Sequence, residues 1–475
     1  MTRENLETIK PYIKKICCIG AGYVGGPTMA VISDHCPNIK ITLVDIDKAK
    51  INAWNSRDLS KLPIYEPGLR ETVERNRNKN LFFSSEIKES IQEADMIFIS
   101  VNTPTKLKGL GAGYASDLKW VESSARQVAK YSKGHTIVVE KSTVPVRTAE
   151  LIEEILNGYK AQNSLSNKTF SVLSSPEFLA EGTAIKDLEN PDRVLIGGSD
   201  HEAINLLKEI YLNWIPLDKI LLSNIWSSEL SKLIANAFLA QRVSSVNSIS
   251  ALCESTGADI NEVVKAIGSD KRIGKKFLSP GPGFGGSCFK KDILNLVYLC
   301  RFYKLEMVAN YWEQVLFIND WQKKRISSLI IEKFFGTVAN KKIVILGFSF
   351  KCNTNDTRES PSIYIAKDLI DNGAKLLIND PKVINKQIEE ELGLEEFKID
   401  TESSGSWSFA DDIYTASKNA DAILISTEWE EYKTLNWQRL ANLLRKPSWI
   451  FDTRNIITKE TFLQKDINFW QIGTS

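Results

Sequence analysis

Cys288 differs from the other cysteines of the chain in what surrounds it. It lies in the run Gly281-Pro282-Gly283-Phe284-Gly285-Gly286-Ser287-Cys288-Phe289-Lys290-Lys291-Asp292, after which Ile293, Leu294, Leu296, Val297 and Cys300 recur at helical spacing. A thiol at a helix N-terminus feels the positive end of the helix dipole, and Lys291 close by gives a second reason to favour thiolate. Asp292 falls one turn further on the same face, suited to orienting a lysine or a water. A glycine-rich loop ahead of a helix is equally a phosphate cradle, so two readings of Cys288 stand: a nucleophile, or a thiol that merely accompanies an anion site.

Five other groups have the composition of a site. Gly20-Ala21-Gly22-Tyr23-Val24-Gly25 follows the apolar run Ile16–Ile19 and opens a helix, and Asp45 ends the next apolar run. Gly20 permits the tight turn, Gly22 lets backbone amides approach a pyrophosphate, and Gly25 lets helix pack on strand, while Asp45 would accept ribose hydroxyls and repel a 2′-phosphate. This is an NAD fingerprint rather than an NADP one. Val101-Asn102-Thr103-Pro104-Thr105 and Lys141-Ser142-Thr143-Val144-Pro145 follow two further strands and expose hydroxyls on rigid turns, which suits ribose and nicotinamide, although as bland sequence they are simply turns. Pro176-Glu177-Phe178-Leu179-Ala180-Glu181-Gly182 reads as two carboxylates one helical turn apart, one for base or water-orienting work and one for the cofactor. Lys232 and Asn236 share a helix face beside an apolar seam, where a lysine ordinarily snorkels to water. The three histidines, His35, His135 and His201, lie outside these groups, which disfavours histidine acid–base chemistry.

Positioning these groups requires an α/β architecture: two Rossmann-like parallel-sheet domains joined by a long central helix within a helical domain. Strands are expected at Ile16–Ile19, Ile39–Val44, Met96–Val101, Thr136–Val139, Phe170–Leu173 and Val194–Ile196, and a second set at Ile343–Leu346, Leu376–Ile378, Ile423–Ile425 and Ile450–Phe451. Between Trp226 and Thr256 there is neither Gly nor Pro, and Leu230, Leu233, Ile234, Ala237, Phe238 and Ala240 keep helical spacing. Expected domains are residues 1–222 (NAD-binding), 223–335 (central, helical) and 336–475 (a Rossmann-like repeat). Ala94-Asp95-x-Ile97-x-Ile99-Ser100 is echoed by Ala420-Asp421-x-Ile423-x-Ile425-Ser426, but Gly347-Phe348-Ser349-Phe350-Lys351 lacks the three-glycine turn, so the repeat is not expected to bind a dinucleotide. With 60 Lys and Arg against 59 Asp and Glu, net charge offers no general attraction to nucleic acid or anionic membrane. The charged stretch from Arg3 to Lys15 has no apolar segment of a targeting signal, and no apolar run approaches the roughly 18 residues of a membrane span. Seven scattered cysteines without a C-x-x-C pair read as reduced thiols of a cytoplasmic protein with no metal site.

Taken together, Gly20–Gly25, Val101–Thr105, Lys141–Val144, Glu177–Gly182, Ser228-Glu229-Leu230-Ser231-Lys232 with Asn236, Gly283–Asp292, Thr357-Arg358-Glu359-Ser360 and Phe451-Asp452-Thr453-Arg454 resemble the UDP-glucose/GDP-mannose dehydrogenase family over nearly the whole chain. The resemblance implies NAD-dependent, four-electron oxidation of a sugar C6 alcohol to a carboxylate, UDP-glucose to UDP-glucuronate. By it Cys288 is the nucleophile, Lys232 and Asn236 stabilise oxyanions, Lys232 also moves protons, Asp292 supports Lys232 or the attacking water, and Glu177 and Thr143 handle base and water chemistry. It assigns Asp45, Lys50, Ser142, Thr143, Val144, Glu181 and Arg358 to the cofactor. Glu177, Phe178, Leu179, Ala180, Glu181, Phe277, Leu278, the loop Ser279–Gly285, Phe350, Lys351 and Arg454 go to the sugar nucleotide. Arg272 matches an arginine that reaches a neighbouring subunit, implying a homo-oligomer with a dimer as the minimal unit and a hexamer as a further option. Lys50 stands where many relatives carry Arg, Pro280 and Pro282 stiffen the substrate loop, and Cys352-Asn353 replace a more charged pair. Three alternatives remain: a relative acting on GDP-mannose or a UDP-N-acetylhexosamine, a two-electron hydroxyacid dehydrogenase with no need of Cys288, and a non-catalytic nucleotide-sugar binder.

Overall fold

The computed structural model describes residues 12–162, 167–400, 404–462 and 467–474. The charged stretch that begins at Arg3 lies outside the described residues as far as position 11. The chain divides into two compact units, residues 1–235 and 236–475.

The first unit is built on eight strands, β1 (Lys15–Ile19), β2 (Lys40–Val44), β3 (Leu81–Ser84), β4 (Met96–Ile99), β5 (His135–Glu140), β6 (Thr169–Ser174), β7 (Val194–Gly197) and β8 (Ile220–Ser223). They lie in the order β3-β2-β1-β4-β5-β6-β7-β8. From β3 to β6 every pairing is parallel, whereas β7 meets β6 antiparallel through Ser174 and Gly197. Alternate residues serve opposite faces: Ile16, Cys18, Met96, Phe98, Ile137 and Val139 enter one core, and Cys17, Ile19, Ile97, Ile99 and Val138 the other. Both faces are thereby buried, as a parallel sheet requires. The order reverses between β1 and β4, so a crevice opens beyond their carboxyl ends, where Gly20 and Ser100 begin their loops.

The second unit carries β9 (Lys342–Leu346), β10 (Lys375–Asn379), β11 (Ser406–Phe409), β12 (Ala422–Ile425), β13 (Trp449–Asp452) and β14 (Asn468–Gln471) in the order β11-β10-β9-β12-β13-β14, all parallel. The echoed Ala-Asp motif has one physical job in both sheets. The Asp95 carboxylate accepts the amides of Lys14 and Lys15 at 2.9 Å, and the Asp421 carboxylate accepts that of Lys342 at 2.8 Å, each pinning the start of its neighbouring central strand. In the second sheet Asp380, following β10, takes the amides of Phe348 and Ser349 at 2.7 and 3.0 Å. Those turn amides are thus engaged within the protein. Helices Phe289–Phe302 and Glu306–Lys333 pack on each other in this unit, and helix Ile225–Thr256 begins in the first unit and continues in the second.

Candidate functional site

At the carboxyl edge of the first sheet, two glycines of the turn after β1 are demanded by a neighbour. A Cβ on Gly20 would lie 2.1 Å from the Ser100 carbonyl oxygen, and one on Gly25 would lie 2.1 Å from that of Gly20. At Gly22 a Cβ would meet nothing, so this backbone faces open space where a ligand can approach. Helix Gly25–His35 has no side chain capping its N-terminus, which leaves amides for an anion. Asp45 accepts the Ala21 amide, the Asp47 amide and the Lys50 ammonium, each at 3.0 Å. Burial opposes its ionisation, but those two amides and Lys50 outweigh it and hold the carboxyl below its ordinary range. Trp54 donates to the Ala21 carbonyl at 3.1 Å and backs the loop from beneath. The donor set and the open cradle fit a dinucleotide.

The two turns beyond β4 and β5 are tied together. Ser142 Oγ donates to the Val101 carbonyl at 2.9 Å and accepts its amide at 3.0 Å, and Thr103 Oγ1 donates to the Thr143 carbonyl at 2.7 Å. Val101–Thr105 and Ser142–Val144 therefore form one assembly. Glu177–Gly182 departs from expectation: residues 175–180 form no helix, and the helix begins only at Ala184. Pro176 lacks an amide, and Gly182 takes φ +83°. Buried Glu66 accepts the amides of Gly182 at 2.8 Å and Ala184 at 2.6 Å, fixing the helix start beyond the motif. Glu177 and Glu181 are thus not a helical pair. Instead Glu177 Oε1 accepts the Phe178 amide at 2.9 Å, and its other oxygen lies 2.9 Å from Lys141 Nζ. The Phe178 ring has the Arg193 guanidinium at 3.8 Å and the Lys232 ammonium at 5.4 Å from its centroid. Lys232 is buried, contrary to the snorkelling alternative.

Glu229, one turn before Lys232, was visible in sequence only as part of a motif. Its carboxylate accepts the amides of Arg147 and Ala149, both at 2.7 Å, at the start of helix Thr148–Gln162. Arg147 sits at φ +77°, an unfavourable conformation for a residue with a Cβ, and this bond helps to hold it. Burial lifts the Glu229 carboxyl from 4.5 to about 7 against the lowering effect of the Ala149, Arg147 and Thr148 amides. A raised folded value favours the proton-bound form, so stability from this group is complete below about pH 4.5 and is lost as pH rises through about 7. That displacement is worth on the order of 3 kcal/mol. Accordingly, the stability difference between wild type and Glu229→Gln should change by about that amount between pH 4.5 and 7.5, as read from urea melts. A difference independent of pH would refute the assignment.

In the second unit Cys288 is exposed at the start of helix Phe289–Phe302, with Sγ 3.4 Å from Ser287 Oγ. Burial raises the other six thiols: Cys17 reaches about 12 and Cys36 about 11, and Cys18, Cys253, Cys300 and Cys352 are also raised. Asp292, 1% exposed, accepts from Asn236 Nδ2 at 2.6 Å. Lys291 lies 3.2 Å from the Asp292 carboxylate. The loop ahead of Cys288 is held from below by polar residues that sequence reasoning missed. Asn319 brackets Phe284 by accepting its amide at 2.7 Å and donating to its carbonyl at 3.1 Å; Gln322 donates to the Gly281 carbonyl at 2.8 Å, and Asn247 accepts the Gly281 amide at 2.8 Å. Asn319, Gln322 and Lys323 recur at three- and four-residue spacing on one long helix, and that was the available signal.

The structure brings Phe350 and Arg454 to this loop. A Cβ on Gly285 would lie 2.8 Å from Phe350 Cβ, and one on Gly281 would lie 3.1 Å from Arg454 Nη1. Lys351 stands over the Phe350 ring at 5.4 Å. Lys290, in the first turn of helix Phe289–Phe302, pairs with Glu359 at 2.9 Å. Phe277 takes φ +60°, and Leu278 is buried. Arg358 is held by Asp356 at 2.6 Å. Arg272, with an 89% exposed side chain, is paired with its own Asp270. Among the described residues no group of three or more His, Cys, Asp or Glu could hold a metal ion, and no helix is long and apolar enough to cross a membrane.

Comparison with known proteins gives a consistent picture. Models of the UDP-glucose/GDP-mannose dehydrogenase family match residues 14–215 (NAD binding domain), 226–321 (central domain) and 344–459 (UDP binding domain). UDP-glucose 6-dehydrogenase of Gallus gallus is 57% identical over 449 residues, covering 94% of this chain and 90% of that one. UDP-glucose 6-dehydrogenase 4 of Arabidopsis thaliana is 52% identical over 476 residues, 97% of each. The solved UDP-glucose dehydrogenase of Pyrobaculum islandicum matches with a TM-score of 0.83 at 28% identity, covering 99% of this chain and 100% of that one. With matches to all three domain models and more than half of its residues identical to such relatives, the chain belongs to the UDP-glucose/GDP-mannose dehydrogenase family.

Proposed function

We propose that this chain oxidises UDP-glucose to UDP-glucuronate, consuming two NAD and one water for each sugar. One observation carries the reading: of seven thiols, Cys288 alone is exposed, and it sits on the glycine loop of the unit that contains the UDP binding domain. A two-electron dehydrogenase would have no use for it. NAD, when bound, supplies the hydride acceptor. The Cys288 thiolate adds to the aldehyde carbon, and once that adduct is oxidised to a thioester, water attacks the carbonyl, the C–S bond breaks and thiolate leaves with the carboxylate product. In this reading Lys232 and Asn236 stabilise the oxyanions, Lys232 exchanges the alcohol proton, and Asp292 orients Asn236. Glu177, with Thr143, takes the proton of the attacking water.

The same reading gives Gly20–Gly25, Asp45, Lys50, Val101–Thr105, Ser142–Val144, Glu181 and Arg358 to the cofactor, and Phe178–Ala180, Phe277–Ser279, Gly283–Gly285, Phe350, Lys351 and Arg454 to the sugar nucleotide. We further propose three domains, 1–222, 223–335 and 336–475, a cytoplasmic setting, and a homo-oligomer of at least two chains in which Arg272 serves a neighbouring site. Exposed Phe302, Leu305 and Met307 support association. The test is stoichiometry: purified protein with UDP-glucose should release two NADH per sugar consumed and yield glucuronate, and should do neither with GDP-mannose or UDP-N-acetylhexosamines. One NADH per sugar would overturn the four-electron reading, and none from any sugar would leave a binding protein.

A further inference from the structure

We propose that Lys141 is a positioning residue for the hydrolytic step, holding the Glu177 carboxylate in place through an ion pair that Tyr211 supports. The proposal rests on the reading of Glu177 as the base that takes a proton from the attacking water. Lys141 follows β5 and has a side chain only 3% exposed. Burying an ammonium costs several kcal/mol unless it is paired and hydrogen-bonded, so a lysine here needs a specific partner. It has two: Glu177 Oε2 at 2.9 Å, and the Tyr211 hydroxyl, to which Nζ donates at 3.1 Å, with the ring centroid 5.7 Å away. Desolvation works against the charge, but Glu177 and Tyr211 together hold the ammonium above its ordinary range. Tyr211 is itself fixed, 2% exposed at the end of helix His201–Tyr211.

The need for such an anchor follows from the loop. Residues 175–180 belong to neither helix nor strand, so regular backbone bonding does not set the direction of the Glu177 side chain. Its two oxygens are instead fixed separately, one by the Phe178 amide and one by Lys141, while the side chain remains 15% exposed. A carboxylate tethered at both oxygens retains unshared lone pairs in a fixed direction, as proton transfer requires. In the step concerned, the water oxygen bonds to the thioester carbon, its proton passes to Glu177, and the C–S bond breaks to return the Cys288 thiolate. Lys141 touches no reacting atom in this scheme and acts only through Glu177.

The experiment follows single turnovers of the full chain with UDP-glucose and NAD, by NADH absorbance and intact mass, for wild type, Lys141→Met, Tyr211→Phe and Glu177→Gln. Lys141→Met should leave NADH formation and the KM for UDP-glucose nearly unchanged and slow acid release about 10- to 100-fold, since a general base contributes about 100-fold or more. The covalent acyl adduct on Cys288 should accumulate. Tyr211→Phe removes one hydroxyl and keeps the ion pair, and should trap the adduct to a smaller extent; it decides the question if Lys141→Met does not fold. Acid release at the wild-type rate, or a loss of activity with no trapped adduct in either variant, overturns the proposal. If Glu177→Gln traps the adduct and neither of the others does, the positioning role alone fails. If Glu177→Gln releases acid normally, the base reading fails and the proposal falls with it.

Discussion

Cys288→Ser should stop acid formation while leaving the fold and the binding of NAD and UDP-glucose intact. The substitution is nearly isosteric at an exposed position, and the wild-type side chain makes no helix-capping bond. Serine at that position is a good N-cap, so the variant should match wild type in stability to within about 0.5 kcal/mol. Chemistry is where the two differ. A thiol ionises within reach of neutral pH and leaves readily from an acyl carbon, whereas a serine hydroxyl does neither without a dedicated base, and no histidine lies in the constellation. Loss of a covalent nucleophile costs at least about 1,000-fold in turnover. The measurable result is at most one NADH per active site in place of two, with no glucuronate by chromatography. Near-normal acid formation in this variant would rule out the thioester route.

How much of this was legible in sequence depended on whether a residue answers to its local surroundings or to distant ones. The turn from Gly20 to Gly25 could be read because its steric demands arise within one strand-turn-helix and its neighbouring strand. The central strands announced themselves by continuous apolar runs buried on both faces. Four strands, β3, β8, β11 and β14, were not foreseen: each has four residues and lies toward the margin of its sheet with part of its surface uncovered, so the apolar signal is diluted. Glu177–Gly182 was given helical spacing because the cap that moves the helix start to Ala184 comes from Glu66, more than a hundred residues earlier. The pairing of Lys291 with the next residue's carboxylate is local in sequence, yet nothing in the run of residues sets it apart from a lysine that serves only the thiol. Positions that act by accepting backbone amides, such as Asn319 and Glu229, carry no local pattern except a polar side chain at core spacing. That pattern is the one to search for when a glycine-rich loop needs a floor.

Asp292→Ala should damage both stability and turnover, and the two losses can be separated. Asp292 is 1% exposed in the first turn of its helix, and its amide donates to the Cys288 carbonyl at 2.8 Å, so its position and that of the thiol are set together. Its carboxylate accepts from Asn236, which is 5% exposed, and faces the Lys291 ammonium, whose side chain is 18% exposed. Truncation removes the acceptor of both groups while burial persists, and breaking a buried charge network in this way costs about 3 kcal/mol. Asn236 then loses what fixes its amide, and if that amide stabilises the oxyanion, kcat should fall about 100-fold with little change in KM. Asn236→Ala removes the same hydrogen bond from the other side. In a double-mutant cycle the two kcat losses should be strongly non-additive, the double variant falling little below the worse single one, because both substitutions remove the same oriented amide. Additive losses would mean that Asp292 acts on the reaction independently of Asn236. Asp292→Asn keeps the volume and one acceptor that can still fix the Asn236 amide, and so should recover most of kcat, whereas it leaves the Lys291 charge unbalanced and should recover the stability only in part. A kcat as low as that of Asp292→Ala would show that the reaction requires the charge of the carboxylate and not only the acceptor that orients Asn236.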